Sequence, residues 1–206
     1  MRKTVSIWLI DCRGPALSIW LIGAIVIALT VVLPSRDAVA GDYQAYAVGI
    51  LKTLPKEAAI RPDLEAYLDA LADRYRVENG RGGVIGDELM RIAARAQAAD
   101  MMLAGKTGHV SRNGYAFGSR FAAFVDKADL FRARGENAAS DRRKGPADAA
   151  KARRLFALWL DSSAHRRNLM SRDYEFVSTG VIQRRQELWA VQIFWSRRSE
   201  PNLLTQ

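Results

Sequence analysis

The chain of 206 residues contains two histidines, His109 and His165. Imidazole is the side chain whose ordinary pKa lies near neutrality, so it can exchange protons or ligate a metal where a partner holds it. His165 lies in the stretch WLDSSAHRRNLM, Trp159 to Met170. Leu155, Phe156, Leu158 and Trp159 lead into it at helical spacing, and Asp161-Ser162-Ser163 then turn the pattern polar. An imidazole at the end of an amphipathic helix, in a polar turn, is placed to face a cleft. His109 also follows a helical pattern and sits in a glycine-containing turn, Lys106-Thr107-Gly108-His109. The expectation is that the remaining elements bring these two imidazoles and Glu136 together. The competing reading makes each histidine an idle surface residue and Glu136 a solvated charge. Ser162 and Ser163 precede His165 without the strand–turn–helix context of a nucleophile elbow, so no Ser-His-Asp set is read here.

The elements that must position these groups follow from periodicity. Pro62 opens a helix, where its missing N–H costs nothing. Leu64, Tyr67, Leu68, Leu71 and Tyr75 give Asp63 to about Glu78 an apolar stripe. Asn79 to Gly83 ends it. A second helix is expected from Gly86-Asp87, with Asp87 as N-cap, to Gly105. Its Leu89, Ile92, Ala93, Ala96, Ala99 and Leu103 form an alanine-rich, closely packing face. Gly118 to Leu130 reads as a third helix, Arg132 to Ala138 as a short connection, and Ser140 to Gly145 as a charged exposed loop. Pro146 restarts a helix that runs into His165. Phe176–Gln183 and Glu187–Ser196 are strand-like runs joined at Arg184-Arg185-Gln186, an antiparallel hairpin. Helices followed by a terminal hairpin predict an α+β fold.

Composition bounds the rest. Hydrophobic residues make up 49% and the formal charge is +9, which favours anionic partners, but no nucleic-acid motif accompanies the charge. Nucleic acid is therefore not the expected partner. The single cysteine, Cys12, lies near the N-terminus, which excludes a disulfide framework, a cysteine zinc site and a cysteine nucleophile in the following domain. Met1-Arg2-Lys3 opens with positive charge, Ala16 to Leu33 carries no charge, and Ala38-Val39-Ala40 fits a signal-peptidase site. Residues 1–40 are read as a signal peptide cleaved after Ala40, so that the remainder is exported, secreted or periplasmic. The alternative is a membrane anchor through residues 16–33. Cleavage removes Arg2, Lys3, Arg13 and Arg36 against Asp11 and Asp37, leaving +7 on the exported part. Residues 41–61 are expected to be a lead-in packing on the outside, 62–196 the domain, and 197–206 a tail.

Four segments in order carry a family resemblance: Leu89 to His109, Gly135-Glu136-Asn137-Ala138, Trp159 to Met170, and Gly180-Val181 with Trp189 to Phe194. Together they resemble the CAP superfamily of cysteine-rich secretory, antigen 5 and pathogenesis-related 1 proteins, or SCP domain, in its compact bacterial form without disulfides. The resemblance implies a three-layer α-β-α sandwich with a central antiparallel sheet and a cleft lined by two histidines and one or two glutamates. His109 and His165 match the cleft histidines, and Glu136 the glutamate of G-E-N. The second glutamate often found before G-E-N is missing, since only Asp126 and Asp129 are acidic between His109 and Glu136.

Two neutral imidazoles and a carboxylate match the ligand preferences of zinc, with His109, His165 and Glu136 as the metal set and an open position for water. The same three groups could instead form a buried hydrogen-bonded network that holds loops together. The resemblance implies an exported binding module for a lipid, envelope polymer or protein partner. The alternative is a metal-dependent, protease-like hydrolase, against which the missing carboxylate counts, because hydrolysis needs a general base beside the metal.

Overall fold

Strand β5 (Glu187–Arg197) divides the molecule in two. Successive strand side chains point to opposite faces, and here both faces are apolar. Leu188, Ala190 and Phe194 join one core cluster; Trp189, Val191, Ile193 and Trp195 join the other. A strand buried on both sides needs a helical layer on each, and that is the architecture of the computed structural model, which describes residues 36–125 and 131–197. The signal-peptide reading up to residue 35 with the anchor run 16–33, Asp126, Asp129 and residues 198–206 of the tail lie outside the described residues, while Arg197, expected in the tail, ends β5. Among the described residues no helix is long and apolar enough to cross a membrane.

The sheet has the order β1-β4-β5-β3. Strand β4 (Phe176–Arg184) pairs antiparallel with β5, and the hairpin turns through Arg185, at φ 55°, and Gln186. Strand β3 (Phe131–Asp141) runs antiparallel along the other side of β5. The short β1 (Ala58–Ile60) pairs antiparallel with β4, and the two-residue β2 (Ile85–Gly86) pairs with it in parallel. Helices α2 (Pro62–Glu78) and α5 (Ala149–Asp161) cover one face through Leu64, Leu68, Ala72, Leu155, Phe156 and Trp159. Helices α1 (Arg36–Lys52), α3 (Arg91–Ala104) and α4 (Phe117–Ala122) cover the other. The result is a mixed α-β-α sandwich about a five-stranded sheet that is antiparallel apart from β2. The alanine face of α3 lets it lie close to β4: a Cβ on Gly180 would fall well inside contact distance of the Ala94 and Arg95 backbone.

Several expectations are corrected. The segment 41–61 is not an outer lead-in: Tyr43, Ala47 and Ile50 are buried in the core and β1 extends the sheet. Asp87 does not cap a helix. It accepts the Trp195 indole N–H at 3.2 Å, and α3 starts only at Arg91. The third helix stops at Ala122. Gly135-Glu136-Asn137 is not in a connection or loop but inside β3, fully paired with β5, and the strand continues through Ser140-Asp141. The helix into His165 breaks at Ser162, whose extended backbone (φ −85°, ψ 121°) starts a separate helix, α6 (Ser163–Leu169).

Candidate functional site

The two histidine turns and the G-E-N strand meet along the β3 edge of the sheet. His109 leaves α3 by way of Gly105, which takes the left-handed conformation (φ 67°). Gln97 donates to the Gly108 carbonyl at 2.8 Å and so ties the turn back to α3. Ser162 caps α6 with its hydroxyl, accepting from the His165 N–H at 3.5 Å, which accounts for the serine before that histidine. Asn168 donates to the Glu136 carbonyl and to Asn137 Oδ1, each at 3.0 Å, and Asn137 donates to the His165 carbonyl at 3.2 Å. The two asparagines therefore staple α6 to β3. Gly135 is needed there because a Cβ would collide with the Tyr174 hydroxyl and crowd Asn168.

His109 Nδ1 lies 2.8 Å from Glu136 Oε1. A carboxylate only accepts, so Nδ1 carries the proton and Nε2 is left with its lone pair. The His165 ring lies 6.5 Å from the His109 ring, centroid to centroid, tilted by 59°. Its Nδ1 is buried without a partner. The hydrogen bond to Glu136 raises the pKa of His109 above its ordinary value, although burial opposes it. Burial, with the neighbouring His109, lowers that of His165. Two chemically alike rings are thus pushed apart by their surroundings.

Sequence reasoning did not single out Arg120. It is fully buried, and its Nη2 donates to both oxygens of Glu136 at 2.8 Å and to the His109 carbonyl at 3.2 Å. Glu136 is itself 2% exposed in its side chain, so the guanidinium supplies the countercharge that a buried carboxylate requires. A signal was present: Phe117, Phe121 and Phe124 form an apolar stripe at helical spacing, and Arg120 falls within it. Asn137 and Asn168 were visible in the motifs but carried no assigned role.

The donor set can be tested against a metal. Both Glu136 oxygens accept from Arg120, and Oε1 also accepts from His109, so Glu136 stands behind His109 and not beside it as a third ligand. Among the described residues no group of three or more His, Cys, Asp or Glu side chains is placed to hold a metal ion. What fits is narrower: the two imidazoles as donors, with Glu136 fixing the His109 tautomer from behind, as carboxylates behind metal-bound histidines do. A zinc ion there would polarise bound water. No Ser, Thr or Cys hydroxyl or thiol is hydrogen-bonded to either imidazole among the described residues.

A sheet with helices on both faces, with an H-x-x-N helix and a histidine turn meeting on a G-E-N edge strand, defines an SCP-type domain. The chain belongs to the cysteine-rich secretory protein (CAP) family, whose model matches residues 85–194. Among solved structures it is similar to an extracellular protein containing a SCP domain from Bacillus anthracis, at 21% identity and a TM-score of 0.53 over 66% of this chain. The match spans only 44% of the Bacillus protein. An outer surface protein of Borrelia burgdorferi matches at 15% identity and a TM-score of 0.56, over 68% of this chain and 99% of its own. No curated protein matches the sequence.

Proposed function

We propose that the protein is an exported binding module whose His109/His165/Glu136 cleft recognises an envelope-associated partner without hydrolysing it. The observation that carries this reading is the state of Glu136. Its two oxygens are engaged by Arg120 and His109, so among the described residues the cleft shows no free carboxylate as general base. The N-terminal segment supports export. Two proteins of the same fold are described as extracellular and as an outer surface protein, which is in keeping with it.

One observation favours metal-dependent hydrolysis as the second reading: His109 presents Nε2 with a carboxylate behind it, an arrangement suited to a zinc ligand. Zinc calorimetry on the purified protein, alongside a His109→Ala, His165→Ala variant and with casein and simple esters as substrates, separates the two. The expected outcome is no stoichiometric uptake at micromolar zinc and no turnover. Stoichiometric zinc binding and turnover that both vanish in a folded double variant would overturn the binding-module reading.

A further inference from the structure

At the sheet end formed by the β4–β5 turn, a groove of about 620 Å³ that neither histidine lines opens between that turn and the 142–145 loop. Arg142, Lys144, Arg184 and Arg185 line it, with Glu57 and Glu187 as its acidic residues. Glu187 is occupied: it accepts from Arg142 (3.3 Å), Arg184 (3.1 Å) and the Trp189 indole (3.2 Å), and so aligns two of the arginines. Lys144 and Arg185 are exposed and form no salt bridge among the described residues. A second recess of about 280 Å³ adjoins the first, and Arg142 lines both. Arg143 and Arg154 add two more cations there, against Asp141.

The groove is built rather than incidental. Lys151 is fully buried, and its ammonium donates to the carbonyls of Arg143 (2.6 Å), Gly145 (3.0 Å) and Gln186. Its three protons thus bind the basic loop to the basic turn. The Gly145 N–H donates to Gln186 Oε1 at 3.1 Å, and the Arg185 N–H to the Glu57 carbonyl at 3.1 Å. Burying one cation to fix a loop and a turn that carry five others holds like charges together against their repulsion. A free chain would let them spread apart.

We propose that these two neighbouring recesses bind a base-free polymer of phosphodiester groups. Guanidinium forks match the oxygens of a phosphate, and a flexible lysine adds a point charge. Two neighbouring recesses that share Arg142 suit an extended polyanion better than a flat bilayer, and Leu158 is the one apolar side chain among their lining residues. No aromatic ring lines them to stack on bases. Trp189, beside the groove, is covered by Arg142 at 5.5 Å. The choice of an envelope-type polymer rests on the export reading; the groove does not.

The test is fluorescence anisotropy of the full-length protein with a labelled poly(glycerol phosphate) oligomer across a salt series. Arg142→Gln, Lys144→Gln, Arg185→Gln combined should weaken binding about tenfold or more and flatten the slope of log affinity against log salt by about 2, close to the share of three phosphate contacts. A control triple, Lys52→Gln, Arg74→Gln, Arg172→Gln, removes equal charge from exposed positions elsewhere and should leave affinity nearly unchanged. The cleft variant His109→Ala, His165→Ala should bind like the parent, so that failure here and failure of the cleft reading are distinct. Equal losses in both triples, or none in either, would overturn the site. Tighter binding of a charge-matched oligothymidylate, or binding to anionic vesicles alone, would overturn the ligand class. Should the triple variant fail to fold, Lys144→Gln alone is informative, since its amine makes no hydrogen bond or salt bridge among the described residues; a loss of about threefold is expected, and no loss would count against the groove.

Discussion

At the scale of single residues, Glu136 sets the behaviour of the site. It raises one imidazole by accepting its proton, while the other, with an unpartnered buried Nδ1, is lowered. The signs of the resulting pH effects are opposite. The raised His109 contributes stability that is complete below the unfolded value near 6.5 and is lost as pH rises through its folded pKa. The lowered His165 contributes stability that is complete above that value and is lost as pH falls through its own folded pKa. The two windows lie on opposite sides of 6.5, so their sum should peak there, the acid limb belonging to His165 and the alkaline limb to His109. Imidazole NMR titration is expected to show His109 above His165, with His109 moving down in Glu136→Gln while His165 changes little. Coincident or reversed titrations would mean that the Glu136 contact does not persist in solution. The three groups were legible in the sequence because each sits in a motif with fixed neighbours. Arg120 was not, because a buried arginine in an apolar stripe looks like a surface charge until its carboxylate partner, sixteen residues on, is known to be buried too.

At the scale of elements, legibility followed the strength of the periodic signal. Helix α2 and the terminal hairpin could be read directly, since Pro62 and the Leu/Tyr stripe mark one and the apolar runs the other. Strand β3 could not. Its sequence RARGENAASD is polar, and it pairs as a strand because Asn137 and Glu136 find buried partners in α6 and α4. The break between α5 and α6 was hidden because Ser162 acts through its backbone angles and hydroxyl, not through hydrophobicity. Helix α3 lies directly against β4 at Gly180. Gly180→Ala forces the Ala94–Arg95 backbone outward and should lower stability by about 1–3 kcal/mol, the usual range for overpacking a core. Urea unfolding followed by tryptophan fluorescence measures it, with Gly49→Ala as a comparison because a Cβ there meets nothing. Equal midpoints for the two variants would show that α3 shifts freely over the sheet.

At the scale of the whole molecule, the domain is held without disulfides, and buried cations take on the fastening of loops. Arg76 donates to the carbonyls of Gly82, Leu169 and Ser171, and Lys151 to those around the basic turn. The larger departure from the sequence reading is α1, which precedes the matched segment 85–194 yet belongs to the core. Tyr43 packs edge-on against Tyr115 (5.1 Å) and Phe124 (6.1 Å), the Tyr46 hydroxyl donates to Asp100 at 2.6 Å, and Gln44 donates to the Ala123 carbonyl at 2.5 Å. These contacts join α1 to α3 and to the α4 segment that carries Arg120. The signal was weak because α1 has little amphipathic order, and alanines and glycines fill much of it. Burying Ile50 alone is worth roughly 1.5–3 kcal/mol, a sizeable part of the 5–15 kcal/mol typical of a whole domain, and the buried Tyr43 ring adds to it. A protein beginning at Thr53 should therefore lose its cooperative urea transition, whereas one beginning at Gly41 keeps Tyr43, Ala47 and Ile50 and should retain it. A cooperative transition at the same midpoint in both would show that α1 is an attachment and that the matched segment with α2 makes a complete core; loss in the shorter protein alone would make α1 part of the minimal domain and the support on which the Arg120–Glu136 pair is built.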